Sequence, residues 1–184
     1  MIIRETGIEG LVIVEPEVHG DQRGYFMETY HQAGLEALGI RHHFVQDNQS
    51  RSLYGVIRGL HFQKEPHAQT KLVRVTEGVI YDVALDIRPA SPTFGQWYGT
   101  ELSAENHHQL LVPRGFAHGF SVLSAHATLL YKCDAYYHPG SESGIRFDDP
   151  DLRIDWKIHP EKAIVSGKDR ELPYFREISR KIRK

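Results

Sequence analysis

The stretch RGLHFQKEPHAQTKLVRV, from Arg58 to Val75, crowds large polar side chains into a segment that otherwise has the pattern of β-strands. His61 supplies an imidazole, which titrates near neutral pH and can serve as a general base. Lys71 supplies a compact positive charge that can hold an enolate oxygen. Farther along the chain, Tyr131 supplies a phenol whose ordinary pKa is about 10, so that it can act as a proton donor. These side-chain types predict proton transfer beside a carbonyl group.

Alternation along a strand predicts which of these side chains share a face. His61 and Gln63 fall on one face of their strand, and Lys71 falls on the same face as the apolar residues two and four positions after it. Arg58 has the wrong parity to join His61 on a regular strand. Gly59, between them, predicts a bulge that would re-aim one of the two.

Other polar side chains also have the parity of core positions. Tyr131 alternates with Leu129 and Cys133, and Asp82 alternates with Asp86 against apolar neighbours. Buried charge without a partner is costly. These groups must therefore pair with one another, with water or with a ligand, and for the two aspartates we expect a structural role.

The composition is that of an ordinary globular protein with one domain, predicted to span residues 1–184. The net charge is -2, which predicts neither nucleic acid nor a membrane surface as a partner. One cysteine, an N-terminus without signal-peptide character and the lack of a long apolar run together favour the cytoplasm. The basic stretch REISRKIRK at the C-terminus predicts a solvated end.

Short β-rich runs separated by turn residues fill most of the chain. HQAGLEALG is the one clear helical stretch, and it stops at Gly39. This pattern predicts an all-β sandwich or barrel. The polar C-terminal third is expected to cover the mouth or edge of that barrel.

A metal site is the first functional hypothesis to test. GVIRGLHFQ and the later PRGFAHG resemble the two-part pattern of the cupin superfamily. Metal-binding cupins carry a second histidine where this chain has Gln63, and no third ligand matches firmly, so that His118 has too few partners for zinc or iron. The sequence therefore predicts a cupin-like barrel without a metal.

A narrower resemblance runs from about Gly20 to Asp169. The blocks DQRGYFMETY, QDNQSRSLYGVIRGLHFQ, QTKLVRVTEGVIYDVALDIR, SPTFGQW, LLVPRGFAHGFSVL, YKCDAYY and SGKD, in this order, resemble the dTDP-4-dehydrorhamnose 3,5-epimerase family. The resemblance implies a cupin-like jelly-roll β-barrel with short peripheral helices. It also implies a cofactor-independent isomerase that converts dTDP-4-keto-6-deoxy-D-glucose to dTDP-4-keto-L-rhamnose, on the route to dTDP-L-rhamnose.

The resemblance implies four catalytic residues. His61 would remove the proton beside the ketone, and Asp169 of SGKD would pair with His61. Lys71 would hold the enolate oxygen, and Tyr131 would return a proton on the opposite face of the sugar.

The resemblance also implies a set of substrate contacts and a homodimer, in which part of the RGYFME region reaches the neighbouring subunit's site. The contacts are Arg23, Phe26 and Glu28 on the nucleotide and its phosphates, Gln46 and Asn48 at the base or ribose, Arg58 at the diphosphate, His118 at the sugar, Tyr137 stacked on thymine, and Glu142 and Lys168 on the nucleotide side.

Several alternatives stay open at this level. An epimerase of C3 only or of C5 only would use the same base and acid. A non-catalytic sugar-nucleotide binding module would keep Arg58 and Arg23 but would not need the pair of His61 and Asp169. A metal cupin oxygenase is disfavoured by Gln63. In YKCDAYY, either Tyr136 or Tyr137 could stack on the base.

Overall fold

Short strands separated by turns carry most of the chain in the computed structural model, which describes residues 1–182. The strands are β1 (Ile2–Glu5), β2 (Val12–Glu15), β3 (Val18–Asp21), β4 (Gly24–Met27), β5 (Gln46–Leu53), β6 (Ile57–Gln63), β7 (Lys71–Glu77), β8 (Val79–Asp86), β9 (Trp97–Ser103), β10 (Gln109–Val112), β11 (Phe116–Val122), β12 (His126–Cys133) and β13 (Glu142–Gly144). The helices α1 (Gln32–Ala37), α2 (Gly167–Arg170) and α3 (Phe175–Ile182) are short.

The strands form two antiparallel sheets that face each other. One has six strands in the order β1-β2-β10-β7-β12-β5, and the other has five in the order β13-β6-β11-β8-β9. The prediction of a cupin-like jelly-roll barrel with short peripheral helices is therefore confirmed. β3 and β4 stand apart as a two-stranded hairpin. No helix within residues 1–182 is long and apolar enough to span a membrane.

The space between the two sheets holds the main hydrophobic core. Val73 on β7 and Leu129 on β12 meet Ile80 and Ala84 on β8, and all four are nearly or fully excluded from solvent. Because side chains alternate along each strand, the same strands also present an outer face. Burial of both faces leaves few positions where a polar side chain could reach solvent. Several of the polar side chains that do point inward line one pocket, described below.

Two further apolar clusters cover the outer faces of the sheets. Leu35 of α1 and Ile40 pack on the six-stranded sheet beside Leu72. The helix α1 lies within the stretch that the sequence predicts to be helical, and Gly39 follows it with a φ of 89°, a conformation that glycine adopts without strain.

The sequence predicts that the C-terminal third covers the mouth or edge of the barrel, but the large apolar residues of this third lie elsewhere. Leu152, Trp156 and Ile178 pack instead on the outer face of the five-stranded sheet, where their apolar area is removed from water. Only β13 occupies a sheet edge, next to β6. The predicted solvated end is also corrected in part, because α3 buries Ile178; residues 183 and 184 lie outside the described part of the chain.

A bulge in β6 sets the direction of the side chains on either side of it. His61 pairs with His118 on β11, whereas Arg58 pairs with Phe120, so that three steps on β6 oppose two on β11. Gly59 has a φ of 123°, and a Cβ there would lie 2.5 Å from Cα of Gly119. The predicted bulge is confirmed, and only glycine fits this close approach of two backbones.

Candidate active site

One pocket between the two sheets brings together half of the predicted site residues. It has a volume of about 290 Å³. His61 enters it from β6 of one sheet, and Lys71 and Tyr131 enter it from β7 and β12 of the other. The pocket is lined by Gln46, Asn48, His61, Phe62, Gln63, Gln69, Lys71, Tyr131, Cys133, Tyr137 and Glu142.

His61 is paired with the carboxylate of Asp169. Nε2 of His61 lies 2.7 Å from a carboxylate oxygen of Asp169, whose side chain is only 6% exposed. The Ser166 hydroxyl accepts a hydrogen bond from the Asp169 backbone N–H and so caps α2. Burial would raise the pKa of Asp169, but hydrogen bonds, above all from His61, hold it below its ordinary value. The carboxylate is therefore charged at neutral pH and orients the imidazole.

Lys71 carries its ammonium group into the same pocket. Burial lowers its pKa, against the opposing influence of Cys133, Asp82 and Glu142. No salt bridge to Lys71 occurs among residues 1–182: Asp82 pairs with His118, and Glu142 pairs with Lys168. Its Nζ lies 5.9 Å from the centre of the Tyr131 ring. A positive charge with no permanent counter-ion can serve an oxyanion that forms nearby.

Tyr131 faces the pocket from the strand next to that of Lys71. Tyr131 pairs with Val73 and Cys133 pairs with Lys71 across the two neighbouring strands. Burial raises the pKa of Tyr131 above its ordinary value, and it raises that of the Cys133 thiol to about 11. Both groups are therefore protonated at neutral pH, and Tyr131 has a proton to donate.

His118 lies deeper in the barrel than its predicted role as a sugar contact suggests. Its side chain is 8% exposed, and its Nε2 lies 2.8 Å from one carboxylate oxygen of Asp82 and 3.0 Å from the other. It pairs with His61 across β6 and β11 but is not among the lining residues of the pocket. Asp82 thus has the structural role that we expected, and sugar contact by His118 stays a prediction.

Arg58 lies on the other side of His61. Its Nε donates to the buried hydroxyl of Ser52 at 3.0 Å, which links the two sheets. A second pocket of about 420 Å³ adjoins Arg58, His61 and Lys168. His61 therefore lies where two pockets meet, one lined by the catalytic candidates and one with two cations at its wall.

A chain of hydrogen bonds crosses the outer rim of the first pocket. The Tyr137 hydroxyl donates to a carboxylate oxygen of Glu142 at 2.9 Å, and Lys168 donates to the same oxygen at 2.8 Å. The contact with Lys168 holds the pKa of Glu142 below its ordinary value. Tyr137 lines the pocket, whereas Tyr136 is 70% exposed and does not. This placement favours Tyr137 over Tyr136 as the partner of a bound base.

The residues predicted from RGYFME are not brought to this pocket. Arg23 lies at the turn of the β3–β4 hairpin, where it pairs with Asp21 and is 85% exposed. Phe26 and Glu28 lie on and just after β4, beside Met1 and away from His61.

The side chains that could bind a metal are not clustered in the described part of the chain. Within residues 1–182, no group of three or more His, Cys, Asp or Glu side chains is arranged to hold a metal ion. The amide of Gln63 is occupied by backbone groups of its own chain. That the reaction needs neither metal nor cofactor stays a prediction.

The sequence interpretation missed the residues that hold the candidates in place. Ser166 stands three positions before Asp169, and this S-x-x-D spacing is a recognisable helix-start signal. Ser52 on β5 has the parity of an inward position, but its contact with Arg58 depends on the approach of the two sheets. Gln63 enters the sequence analysis as an argument against a metal, and no feature of the sequence assigns a positioning role to Gln63 or Gln69.

Comparison with known proteins defines the class of this protein. The sequence model of the family described as dTDP-4-dehydrorhamnose 3,5-epimerase matches residues 5–177. A relative of that name from Methanothermobacter thermautotrophicus is 50% identical over 94% of this chain and 94% of its own. The chain belongs to the dTDP-4-dehydrorhamnose 3,5-epimerase family, as the resemblance implied. It is accordingly an epimerase, an enzyme of the isomerase class.

Solved structures agree with this assignment. The dTDP-4-dehydrorhamnose 3,5-epimerase from Elizabethkingia anophelis NUHP1 superimposes with a TM-score of 0.93 at 53% identity, covering 96% of this chain and 97% of that one. A dTDP-6-deoxy-D-glucose-3,5-epimerase from Legionella pneumophila, in complex with dTDP-4-keto-L-rhamnose, has a TM-score of 0.93 at 49% identity, covering 98% and 96%.

Proposed function

We propose that this enzyme inverts C3 and C5 of dTDP-4-keto-6-deoxy-D-glucose to give dTDP-4-keto-L-rhamnose, and that it does so in the pocket of His61. One observation carries the proposal: a base and an acid approach a single pocket from opposite sheets of the barrel. Inversion needs this arrangement, because the proton must leave one face of the carbon and return to the other.

The proposed chemistry assigns one step to each side chain. Nε2 of His61 is engaged by Asp169, so that Nδ1 takes the proton from the carbon beside the C4 ketone. The electron pair of the broken C–H bond forms an enolate, whose oxygen is held by Lys71. Tyr131 donates its proton to the opposite face of that carbon. His61 then releases its proton to solvent and Tyr131 takes one from solvent, so that base and acid return to their starting states. The same cycle at the second carbon completes the conversion.

The remaining predicted contacts are proposed to bind the nucleotide. Arg58 and Lys168 offer cations beside His61 for the diphosphate. Tyr137, with Gln46, Asn48 and Glu142 near it, offers an aromatic face and polar groups for the thymidine. His118 is proposed to contact the sugar from beneath the pocket.

We further propose a homodimer in which the β3–β4 hairpin completes the partner's site with Arg23, Phe26 and Glu28. The hairpin pairs with neither barrel sheet, and it leaves Tyr25 62% and Phe26 67% exposed. Aromatic surface of this kind is typical of a protein interface. Location in the cytoplasm stays a prediction.

Mixing two inactive variants tests the shared site. His61→Ala and Arg23→Ala homodimers should each lose activity. If each site combines His61 of one subunit with Arg23 of the other, subunit exchange rebuilds one intact site per heterodimer, about a quarter of full activity. No recovery after verified exchange would place both residues in one subunit's site or exclude Arg23 from it.

Incubation with dTDP-4-keto-6-deoxyglucose in D₂O, without added metal, tests the reaction. Deuterium at both C3 and C5, located by NMR, would establish the double epimerase. Deuterium at one carbon would indicate the C3-only or C5-only alternative. Tight nucleotide binding without exchange would replace catalysis with the binding-module hypothesis.

A further inference from the structure

Glutamine side chains hold four consecutive residues of the segment that carries Tyr137. We name this segment, residues 135–138, the tyrosine loop. Gln69 donates from its amide to the carbonyl oxygen of Ala135 at 2.8 Å, and Gln63 donates to that of Tyr136 at 3.3 Å. The backbone N–H of Tyr137 donates to Gln46 at 2.9 Å.

Gln63 makes the most extensive of these contacts. Its carbonyl oxygen accepts from the backbone N–H of His138 at 2.6 Å, and its amide nitrogen also donates to the carbonyl oxygen of His67 at 2.7 Å. Gln63 therefore uses both ends of its amide on backbone groups. Its residue is only 9% exposed, so that these bonds are shielded from water.

Apart from the glutamines, the loop is fixed by the bond of the Tyr137 hydroxyl to Glu142 and by the backbone N–H of Ser141, which donates to the carbonyl oxygen of His138. Tyr136, Tyr137 and His138 are all exposed and belong to no strand or helix. The ring of His138 stacks on that of His67 with 3.8 Å between centroids, which adds one contact from the same turn that Gln63 holds. Exposed loop backbone without partners opens easily.

We infer that Gln63 and Gln69 are positioning residues that hold the tyrosine loop in its nucleotide-binding conformation. This inference rests on the proposed function, because it takes Tyr137 as a contact of the bound nucleotide. Both glutamines line the pocket, but their amide groups are engaged by backbone groups of the loop. A loop that is already ordered loses less conformational freedom when a nucleotide binds, and so binds more tightly.

Calorimetric titration with dTDP and steady-state kinetics with dTDP-4-keto-6-deoxyglucose test the inference. Gln63→Met keeps the length of the side chain and removes its hydrogen bonds. We expect the Kd for dTDP and the KM to rise about tenfold, with kcat within about twofold of that of the unmodified protein. Gln69→Leu should also raise the Kd for dTDP and the KM. Gln96→Leu, at an exposed glutamine away from the loop, is the matched control and should change neither constant.

Repeating the substitution in a Tyr137→Ala background separates positioning from general damage. If Gln63 acts through Tyr137, then Gln63→Met should weaken dTDP binding little or not at all once Tyr137 is absent. An equal loss in both backgrounds, or a fall in kcat that matches the rise in KM, would overturn the inference. If Gln63→Met does not fold, Gln69→Leu in the two backgrounds decides the question by the same criterion.

The outcomes also distinguish this inference from the proposed function. If the unmodified protein does not bind dTDP, or if Tyr137→Ala leaves binding unchanged, then the proposed nucleotide site is wrong. If both of those results are as expected and the glutamine variants bind dTDP normally, only the positioning role is wrong.

Discussion

Nε2 of His61 and a carboxylate oxygen of Asp169 lie 2.7 Å apart, although 108 positions separate the two residues in the chain. The contact joins β6 to α2, whose start is capped by Ser166. A histidine held in this way keeps one ring nitrogen for the carboxylate and the other for a substrate. The proposed mechanism depends on these separate roles of the two ring nitrogens.

Replacing the proposed base should separate binding from chemistry. His61→Ala should lower the rate of deuterium exchange from D₂O into the sugar by about 10³-fold, because no other imidazole lines the pocket within the described residues. The Kd for dTDP should stay within a few-fold. His43→Ala, at an exposed histidine, is the control. Exchange at the unmodified rate in His61→Ala would exclude the mechanism.

Replacing the partner of the base should affect kcat more than KM. Asp169→Asn keeps the size of the side chain but removes the charge that faces the imidazolium. We expect kcat to fall by roughly 10²-fold or more, with dTDP binding retained. Ser166→Ala should give a smaller loss of the same kind, because it removes only the helix cap. A normal kcat in Asp169→Asn would show that the pair is structural.

Replacing the proposed acid should uncouple exchange from inversion. Tyr131→Phe leaves His61 able to remove and return a proton on one face. Net inversion should fall by about 10²-fold or more, while exchange into the starting sugar continues. NMR of the sugar after incubation in D₂O measures both. Equal losses of exchange and inversion would contradict the assignment of the acid.

Replacing the bulge glycine should damage both stability and activity. At Gly59 an added Cβ would lie 2.5 Å from Cα of Gly119, and φ is 123°. Gly59→Ala should lower the free energy of unfolding by about 2–4 kcal/mol. It should also reduce kcat/KM, because the side chains of Arg58 and His61 would no longer keep their orientation relative to each other. Gly39→Ala is the control, since φ is 89° there and nothing lies within 4 Å of the added Cβ. Urea unfolding measures both variants. An equal loss of unfolding free energy in the two would show that the close approach of Gly59 to Gly119 does not contribute to stability.

Acid stability should depend on Asp86, a buried carboxylate at the end of β8. Burial would raise its pKa, but hydrogen bonds from Arg88, Ser91 and Thr93 lower it from an ordinary 3.8 to about 2. A pKa that is lower in the folded state stabilises the fold above pH 3.8, and this contribution of about 2 kcal/mol is lost as the pH falls toward 2.

Asp86→Asn should therefore destabilise the protein at pH 7 and flatten its loss of stability between about pH 4 and pH 2. Thermal unfolding followed by circular dichroism across this range measures the effect. Asp151→Asn, at an exposed aspartate, is the control and should leave the profile unchanged. An Asp86→Asn profile parallel to that of the unmodified protein would contradict the lowered pKa.

Much of the fold and part of the site could be predicted because the signals are local. Two-residue alternation placed His61, Lys71 and Tyr131 on inward faces of their strands, and turn residues marked where most strands end. The bulge at Gly59 was predicted because Arg58 and His61 cannot share a face of a regular strand and a glycine lies between them. Several motifs in one order identified the family, which the comparisons confirm.

Contacts between distant segments could not be read from the sequence. The packing of Trp156 on the outside of a sheet depends on which apolar face remains uncovered after the barrel closes. Gln63 bonds to the tyrosine loop, and His118 pairs with Asp82 deep in the barrel. Both contacts depend on the register between strands that come from separate parts of the chain.

By itself, then, the sequence determined the fold class, the family and the types of side chain that face the pocket, because alternation and turn chemistry act over a few residues. Only the tertiary structure decided that His61 and Tyr131 approach from opposite sheets, and that glutamine amides hold the loop of Tyr137. Those relationships arise when the two sheets pack around one core, and the free energy of burying that core is a property of the whole chain.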